Sequence, residues 1–539
     1  MADEIPGDFP PGIPAERRFA ENWSQMISAA GVLTAIPQTE EQALELVRWG
    51  ARAGYRVRPI GAFHTWAPIL LEDADGVLLV DQSNLSGLVD FSLEPVPSAT
   101  FRCGTTLAQA TRLLEEIDNG GRSQAPGWAW PDYPGIPDVT VGGMLAIGAH
   151  GAGIRLRPEQ EDLYGTVSNL ILGFRAIVSD GDEYVIRDFV RDDPEVGPML
   201  VHLGNAFLLQ VRMRVIPNCT LSRRVEYPNW QEVYAASSET PAANSMQALV
   251  ERHGRVQQLW FPFTQTPIVQ HFTEEPYSQG TIVTEPLTVR LSPNLPARFT
   301  AAFESTLGHL PWLTPLVERT TLREMRHLSP PDHVWHGTSG NVLLYVQHDT
   351  LRVISLAYAV LVRAADVQSA VHDLGHVFDE MLHRYARAGR EPINSCLEFR
   401  VTDVDRAEAL GLPGAVPVVL SPARPLPGSG ADRVIWFDLV TVPGTPGSLE
   451  FYAEFESWLW ERFAAPGTLR AEWSKAWAIG PDGPWTNDVI IDRVLRSYDV
   501  DGSLDTAHAV GETWRRFDAR SVYGSRLTER IFGRGTRRS

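Results

Sequence analysis

Apolar residues at strand and helix spacing divide the first part of the chain into short alternating elements. Capping boxes at residues 39–42 and 106–109 each predict the start of a helix, and the first helix is expected to end near Gly54. The predicted buried face of the second helix consists of Leu107, Ala110, Leu113 and Leu114. Strands are predicted at residues 56–59, 77–81, 99–103 and 208–216, with a hairpin turn at Asp180 and Gly181. The alternation indicates packed layers of sheet and helix, as in α+β or α/β proteins.

Residues 224–463 change to short strands, proline-containing loops and amphipathic helices. Asp366 is predicted to cap a long helix that ends near Ala388. Its apolar face carries Val371, Leu374, Phe378, Met381 and Tyr385, and its polar face carries His372, His376, Asp379 and His383. The polar face has zinc-ligand residue types, but amphipathicity already explains the spacing, so a solvated face is favoured and no metal site is predicted. Residues 273–296 and 408–432 lack periodicity and are candidate lids or lining loops.

Two glycine-rich stretches depart from these patterns. At residues 55–66 a strand breaks into a turn with Gly61 and Ala62 at its apex and His64 just after it, and small residues there let backbone N–H groups point at an anion. Residues 139–153 contain five glycines, each of which would cost about 1 kcal/mol inside a helix. The first stretch alone is more often a surface turn with an ordinary histidine. The second favours a site where backbone approaches something flat or charged.

Length and composition restrict the class of protein and its partners. With 539 residues, 44% of them apolar, the chain is expected to hold two or more domains with a large core. A net charge of −19 argues against nucleic acid or an anionic membrane as a partner. Three cysteines, Cys103, Cys219 and Cys396, show no disulfide or metal-site spacing. The acidic, proline-rich start and the lack of a long apolar run predict no membrane span and a soluble protein, with the cytoplasm slightly preferred over secretion after signal removal.

Several motifs resemble those of the vanillyl-alcohol oxidase family of flavoproteins, and within it the type II cholesterol oxidases with covalent FAD. The similar stretches are Gly-Ala-Phe-His-Thr-Trp-Ala-Pro at 61–68, Leu-Trp-Phe-Pro-Phe-Thr at 259–264, Glu-Phe-Arg at 398–400 and Glu-Trp-Ser-Lys-Ala-Trp-Ala at 472–478. They lie along nearly the whole chain. The resemblance implies a two-domain α+β fold, in which residues 1–223 and 464–539 form the FAD-binding domain and residues 224–463 form a substrate-binding (cap) domain.

The resemblance also implies the cofactor and its contacts. FAD is expected to be bound covalently through His64, at the end of the pyrophosphate loop. The expected cofactor-binding residues are Pro59, Ile60, Gly61, Ala62, Phe63, His64, Thr65, Trp66, Val139, Thr140, Gly142, Gly143, Gly148, His150, Gly151, Gly165, Ser168 and Phe207.

Three charged residues are candidates for the chemistry. Strand periodicity puts Glu398 and Arg400 on one face of a strand. Such a pair is most often a surface ion pair. The resemblance implies instead that this face looks at the flavin ring, with Glu398 as the base for the substrate hydroxyl and Arg400 as a counter-charge for reduced flavin. Lys475 lies in a Trp-flanked turn that resembles an active-site segment, although a surface lysine over aromatic rings is the alternative.

The surroundings of Arg400 depart from the family pattern. The type II cholesterol oxidases that the chain resembles surround this arginine with a second glutamate and an asparagine, and the matching strands offer Gln257 and Asp438 instead. We expect Asp438 to pair with Arg400, because an unpaired buried charge is strongly unfavourable, and Gln257 to make a neutral hydrogen bond. The alternative is a misaligned strand that leaves Asp438 in solvent.

The resemblance implies an FAD-dependent alcohol oxidase that converts a sterol 3-hydroxyl to the ketone and reduces O2 to H2O2. A polyol or sugar-lactone oxidase of the same fold is the second candidate, since those enzymes keep a similar Glu-x-Arg pair. A non-catalytic flavoprotein or carrier is the third. The apolar run at 259–263 supports the sterol, although aromatic strands usually belong to a core. The expected partners are a small-molecule alcohol and O2; the sequence does not predict the oligomeric state.

Overall fold

A four-stranded sheet carries the first glycine-rich turn. The structure is a computed structural model that describes residues 4–71, 75–156, 163–238, 241–277, 310–346, 352–500 and 506–533. The first elements are β1 (Ala15–Glu21), β2 (Ser28–Ala35), α1 (Glu40–Ala53), β3 (Arg56–Ile60) and β4 (Val77–Asp81). The strand order is β1-β2-β4-β3, with β2, β4 and β3 parallel. The turn that begins at Gly61 therefore follows the carboxyl end of an edge strand.

A second, antiparallel sheet carries the other glycine-rich stretch. Its part of the chain contains β5 (Leu88–Ser92), β6 (Ser98–Arg102), α2 (Leu107–Glu115), β7 (Trp128–Ala129), α3 (Val141–Ala146), β8 (Ile171–Asp180), β9 (Glu183–Val190), β10 (Phe207–Arg214) and β11 (Ile216–Pro217). The sheet order is β5-β6-β10-β8-β9, and β7 pairs separately with β11. The short helix α3 contains Gly142 and Gly143 and packs on β6 and β10.

The middle of the chain forms an eight-stranded antiparallel sheet with helices. Its elements are β12 (Thr220–Glu226), α4 (Trp230–Val233), α5 (Met246–His253), β13 (Arg255–Trp260), β14 (Ile268–Glu275), α6 (Thr314–Leu328), β15 (Val334–Thr338), α7 (Ser339–Leu343), β16 (Ile354–Val362), α8 (Val367–Arg387), β17 (Leu397–Asp403), β18 (Arg433–Thr441), α9 (Ser448–Arg462) and β19 (Leu469–Ala471). The order is β15-β12-β14-β13-β17-β18-β16-β19. One face of β17 buries Leu397, Phe399 and Val401 in the main core. The other face is therefore left for polar residues.

The described residues of the C-terminal segment, 464–539, contact both the first two sheets and the eight-stranded sheet. It contains α10 (Asp488–Arg496), α11 (Thr506–Phe517) and α12 (Arg526–Phe532). The Val57 N–H donates to the Val522 carbonyl at 2.9 Å, and the Tyr523 hydroxyl donates to the Ile177 carbonyl at 3.0 Å, so the end of the chain packs on the first two sheets. The beginning of the segment does not pack on these two sheets, because its strand β19 forms the edge of the eight-stranded sheet. The α+β fold is confirmed, while the domain boundaries at 223 and 463 stay a prediction.

Local sequence signals located the first helices well. At α2 the predicted capping box is complete, because Thr106 Oγ1 accepts from the Gln109 N–H at 3.2 Å and Gln109 Oε1 accepts from the Thr106 N–H at 3.0 Å. At α1 the box is half formed, since Gln42 Oε1 accepts from the Gln38 N–H instead, at 2.6 Å. Gly54 ends α1 in the left-handed conformation.

The long helix α8 and the irregular loops match the predictions in part. The five predicted apolar positions of α8 are buried. On its polar face His372 bonds to the Tyr234 carbonyl and His383 pairs with Asp379, and the described residues contain no group of three or more His, Cys, Asp or Glu that could hold a metal ion. Residues 408–432 do not line the large cavity between the glycine-rich stretches and the eight-stranded sheet, so the prediction of a lid or lining loop is wrong for them. Residues 278–296 of the other candidate loop lie outside the described residues. Within the described ranges no helix is long and apolar enough to cross a membrane.

Candidate active site

A cavity of about 970 Å³ lies between the two glycine-rich stretches and one face of the large sheet. Its volume is at the upper end of the range for small-molecule sites, which leaves room for a large cofactor together with a substrate. Fourteen of the expected cofactor-binding residues line it: Pro59, Ile60, Gly61, Ala62, Phe63, His64, Thr65, Trp66, Val139, Thr140, Gly142, Gly143, Gly148 and His150. The five expected chemical residues line it as well: Gln257, Glu398, Arg400, Asp438 and Lys475.

Four expected cofactor residues do not line this cavity, and their contacts give the reason. A Cβ on Gly151 would collide with the Asp132 carboxyl group, and one on Gly165 would collide with Asp405. These two glycines therefore make room for buried carboxylates rather than for a ligand. A further two side chains point elsewhere: Ser168 Oγ donates to the Leu145 carbonyl at 2.9 Å, and Phe207 packs in a hydrophobic cluster with Leu209 and Tyr523.

The glycines that do line the cavity have different surroundings. A Cβ on Gly61 would collide with Thr140, and one on Gly142 would lie 2.9 Å from Cys103 Cβ. Near a Cβ on Gly143, Thr140 Oγ1 at 3.1 Å is the only atom of the described residues, and the backbone of Gly143 is not in the left-handed region. Gly61 and Gly142 thus allow the two glycine-rich stretches to pack closely. Gly143 instead faces open cavity space.

His64 follows the first glycine-rich turn and lines the cavity. The residue before it, Phe63, has φ of +54°, a left-handed conformation that is uncommon for a bulky residue. His64 follows this residue directly and lines the cavity. There its ring stacks on Trp23, with centroids 5.4 Å apart and an interplanar angle of 24°.

A third histidine that lines the cavity, besides His64 and His150, was missed by sequence reasoning. His202 is 4% exposed, lines the cavity, and neither of its ring nitrogens has a hydrogen-bond partner among the described residues. Burial lowers the pKa of His202 to about 4, so the ring is neutral at physiological pH and offers one donor and one acceptor. Two unpartnered buried polar atoms at this position fit a ligand with polar groups, as FAD has. No local signal marks His202, because a lone histidine before Leu203 and Gly204 matches no motif.

Glu398 is held from two sides on the sheet face of the cavity. Its cross-strand neighbours are Leu259 on β13 and Asp438 on β18, and Arg400 follows two residues later on the same face. Arg400 forms an ion pair with Glu398 Oε1, and Gln257 Nε2 donates to the same oxygen at 2.5 Å. No described residue donates to Oε2, so this carboxylate oxygen is available to a ligand.

Tyr345 fixes the amide of Gln257. Its hydroxyl donates to Gln257 Oε1, so the amide nitrogen is turned toward Glu398. The expected neutral hydrogen bond of Gln257 is therefore present. Burial raises the pKa of Tyr345 to about 12, which keeps its hydroxyl protonated as the donor.

Asp438 binds Lys475 rather than Arg400, so the predicted Asp438–Arg400 pair is wrong. Lys475 Nζ lies 3.0 Å from Asp438 Oδ1, and Ser355 Oγ donates to the same oxygen at 2.8 Å. The reason is strand register: Arg400 lies opposite Gln257 and Trp436, while Asp438 lies opposite Glu398. Asp438 is 3% exposed, which also excludes the alternative of a solvent-facing side chain.

The charges of the two pairs act on each other. Burial alone would raise the pKa of the Asp438 carboxyl group, but the charges of Lys475 and Arg400 outweigh it and hold that pKa below its ordinary value. Burial acts to lower the pKa of the Arg400 guanidinium, yet the nearby negative groups, Glu398 first among them, raise it overall. Asp438 and Arg400 are therefore both charged.

Lys475 links this pair to the second glycine-rich stretch. Its Nζ lies 4.0 Å from the ring centre of Trp66 and 3.9 Å from Glu472 Oε1. Glu472 Oε2 is 3.7 Å from His150 Nε2, and the His150 ring stacks on Trp436 with centroids 3.6 Å apart. Glu472 was not among the candidates for the chemistry, although it is the first residue of the 472–478 motif that contains Lys475.

Comparisons with known proteins match this architecture. A family model described as the cholesterol oxidase substrate-binding domain matches residues 222–533, and a model of an FAD-binding domain matches residues 32–187. The crystal structure of cholesterol oxidase from B. sterolicum is similar with a TM-score of 0.89 and 26% identity, covering 98% of this chain and 99% of that one. A solvent-stable cholesterol oxidase is similar with a TM-score of 0.87 and 27% identity, covering 98% and 100%.

A curated relative matches over a shorter length. It is the D-arabinono-1,4-lactone oxidase of Eremothecium gossypii, 20% identical over 228 residues, which are 40% of this chain and 39% of that protein. The chain thus matches well under half the length of this relative.

Proposed function

Because the chain belongs to the cholesterol oxidase family of FAD-dependent oxidoreductases, we propose that it oxidises the 3-hydroxyl of a sterol to the ketone and reduces O2 to H2O2. The observation that carries the proposal is the position of Glu398. Glu398 lines a cavity that the two glycine-rich stretches also line, its Oε1 is held by Arg400 and Gln257, and no described residue donates to its Oε2.

FAD fits the part of the cavity formed by residues 59–66 and 139–150. Gly143 leaves space for close approach, and His202 offers a donor and an acceptor without partners of their own. When bound, FAD would accept the hydride from the alcohol carbon and pass the electrons to O2. The other roles in the reaction belong to side chains of the chain itself.

Glu398 is proposed as the general base. A carboxylate fixed through one oxygen can take the substrate hydroxyl proton at the other, and a positioned base of this kind contributes about 10²- to 10⁴-fold to a rate. Arg400, which stays charged, is proposed to balance negative charge that develops on the cofactor. Lys475 and Asp438, which form their own ion pair, are proposed to orient the substrate beside Glu398 and Arg400.

The apolar part of the cavity supports a sterol rather than a sugar. Leu259 lies directly opposite Glu398, and Val440 follows Asp438 on the same strand face. Phe261, Val353 and Met325 line the same side. A polyol or sugar lactone would leave its hydroxyl groups unpaired against these side chains, which is unfavourable.

Peroxide production tests the function. FAD-loaded protein should release H2O2 and form a 3-ketone with cholesterol, and not with sorbitol or an aldonolactone. Glu398→Gln, which keeps the shape but removes the basic oxygen, should lower turnover at least about 100-fold with unchanged FAD content. Peroxide with the sugar substrates and none with sterols would refute the sterol assignment.

We propose further that His64 carries the flavin covalently. The stacked, cavity-lining position of His64 and the family resemblance support this linkage. Acid precipitation should leave the yellow colour in the protein pellet, and His64→Ala should release it into the supernatant. His150→Ala is the matched control, since His150 also lines the cavity, and it should keep the colour in the pellet. Colour in the supernatant of the parent protein would contradict the linkage.

A further inference from the structure

Helix α6 covers the apolar end of the cavity with a stripe of inward-facing residues. Leu322 and Met325 on this stripe pack on the cluster that contains Phe261, Cys396 and Val440. One turn before Leu322, at the position where helical periodicity calls for another apolar residue, the chain has Glu318. The stripe therefore carries a carboxyl group where packing alone gives no reason for one.

Glu318 is buried without a partner among the described residues. It is 3% exposed and lines the cavity, and no described residue gives it a hydrogen bond or an ion pair. Buried polar groups are almost always hydrogen-bonded, so an exception needs an explanation. Burial raises the pKa of Glu318 well above its ordinary value, which keeps the carboxyl group neutral and able both to donate and to accept.

The position of Glu318 is remote from the reacting end of the cavity. Cys396 lies between the two: it belongs to the cluster on which Leu322 and Met325 of α6 pack, and it precedes Glu398 by two residues. Cys396 and Glu398 are two residues apart on one strand face, which corresponds to about 7 Å. A substrate group that reaches Glu318 is therefore separated from the oxidised hydroxyl by more than one ring of a fused-ring alcohol.

Resting on the proposed function, we propose that Glu318 recognises a second oxygen of the substrate. The preferred substrates are then 3-hydroxysteroids that carry a hydroxyl or carbonyl group on the remote rings or the side chain, rather than sterols with a pure hydrocarbon tail. Such an oxygen completes the hydrogen bonding of Glu318. A hydrocarbon leaves the carboxyl group unsatisfied, and sites that hydrogen-bond a substrate group discriminate strongly against analogues that lack it.

Matched substrate pairs test the inference. One pair is cholesterol and a side-chain-hydroxylated cholesterol; the other is dehydroepiandrosterone and its analogue without the D-ring ketone. In the FAD-loaded parent, kcat/KM should favour the oxygenated member of at least one pair by roughly tenfold or more. Glu318→Leu should abolish this preference, mainly by raising kcat/KM for the hydrocarbon member and lowering it for the other. Glu318→Gln, which keeps a donor and an acceptor, should retain most of it.

The control substitution is Arg319→Leu, on the next residue of α6, which is exposed and does not line this cavity. It should leave both ratios unchanged. FAD content and Tm are measured for each variant, and Glu318→Ala replaces Glu318→Leu if the latter fails to load FAD. An unchanged ratio in the Glu318 variant, with cholesterol still oxidised, would overturn the role of Glu318 and leave the proposed function standing. No oxidation of any steroid by the flavin-loaded parent would overturn both.

Discussion

Glu398 and Asp438 lie opposite each other on adjacent strands, yet each carboxylate has its own cation. Two negative carboxylates on adjacent positions repel each other, and in a buried site this repulsion has a free-energy cost. Arg400 and Lys475 remove that cost by separate pairing. The free oxygen of Glu398 can then serve as a base, while Asp438 is committed to Lys475 and Ser355.

The Asp438–Lys475 pair gives a residue-scale prediction about stability. Asp438→Asn leaves the Lys475 ammonium without its nearest counter-charge in a buried site, so the free energy of unfolding should fall by about 3 kcal/mol. The double variant Asp438→Asn with Lys475→Met removes both charges and should recover most of this loss. Chemical denaturation of the parent, Asp438→Asn, Lys475→Met and the double variant measures the four free energies of unfolding. A double variant that loses as much as the two single variants added together would contradict the pairing.

His202 gives a prediction about acid stability. Its pKa is about 4 in the folded protein against about 6.5 when unfolded, so the unfolded chain binds the proton first as pH falls. The free energy of unfolding is therefore unaffected by His202 protonation above pH 6.5, and it falls as pH drops toward 4, by about 3 kcal/mol in total. His202→Gln should flatten this dependence. Unfolding is followed in a His64→Ala background, from which FAD can be removed, and equal slopes in both proteins would refute the expectation.

At the scale of elements, two neighbouring glycines of helix α3 differ in what they face. Gly142 packs against protein, and Gly143 faces the space proposed for the cofactor. A Cβ on Gly142 would lie close to Cys103, whereas among the described residues a Cβ on Gly143 would meet only Thr140 Oγ1. The same substitution at the two positions should therefore have different effects. The helix begins at Thr140, whose side chain accepts from the Gly143 N–H at 3.2 Å.

We predict that Gly142→Ala lowers Tm, because the added methyl group must displace the Cys103 segment. Gly143→Ala should leave Tm of the FAD-free protein unchanged and reduce the FAD content of the purified protein, because its methyl group enters the space proposed for the cofactor. Thermal unfolding and flavin absorbance measure the two effects separately. Full flavin occupancy in Gly143→Ala would show that FAD does not approach this backbone.

Elements with local signals were predicted well, and contacts between distant segments were not. Thr106 with Gln109, and the apolar positions of α8, specify their helices by short-range spacing alone. The pairing of Asp438 depends on the register of β17 against β18, which short-range spacing does not encode. Gly151 and Gly165 looked like cofactor glycines because nothing in the sequence shows that Asp132 and Asp405 pack against them.

At the scale of the whole molecule, the cavity is made by three separate parts of the chain. The first sheets supply the two glycine-rich stretches, and the segment after β19 supplies Lys475. The large sheet supplies the polar residues Gln257, Glu398, Arg400 and Asp438. The turn that holds Lys475 is anchored by Glu456, whose carboxylate accepts from the Ala478 and Ile479 N–H groups at 2.6 and 2.8 Å. Motif resemblance found these three parts because each contains a recognisable stretch. Glu318 and His202 lie between those stretches and were not found.

The most direct test of the account is the reduction of the bound flavin by a sterol without oxygen. Under nitrogen, cholesterol or an oxygenated 3-hydroxysteroid should bleach the yellow flavin absorbance of the parent protein. Admitting O2 should restore the colour with one H2O2 for each flavin, and Glu398→Gln should bleach at least about 100-fold more slowly. A flavin that stays yellow with every steroid, or one that bleaches equally fast in Glu398→Gln, would contradict the central claim that Glu398 activates a sterol hydroxyl beside FAD.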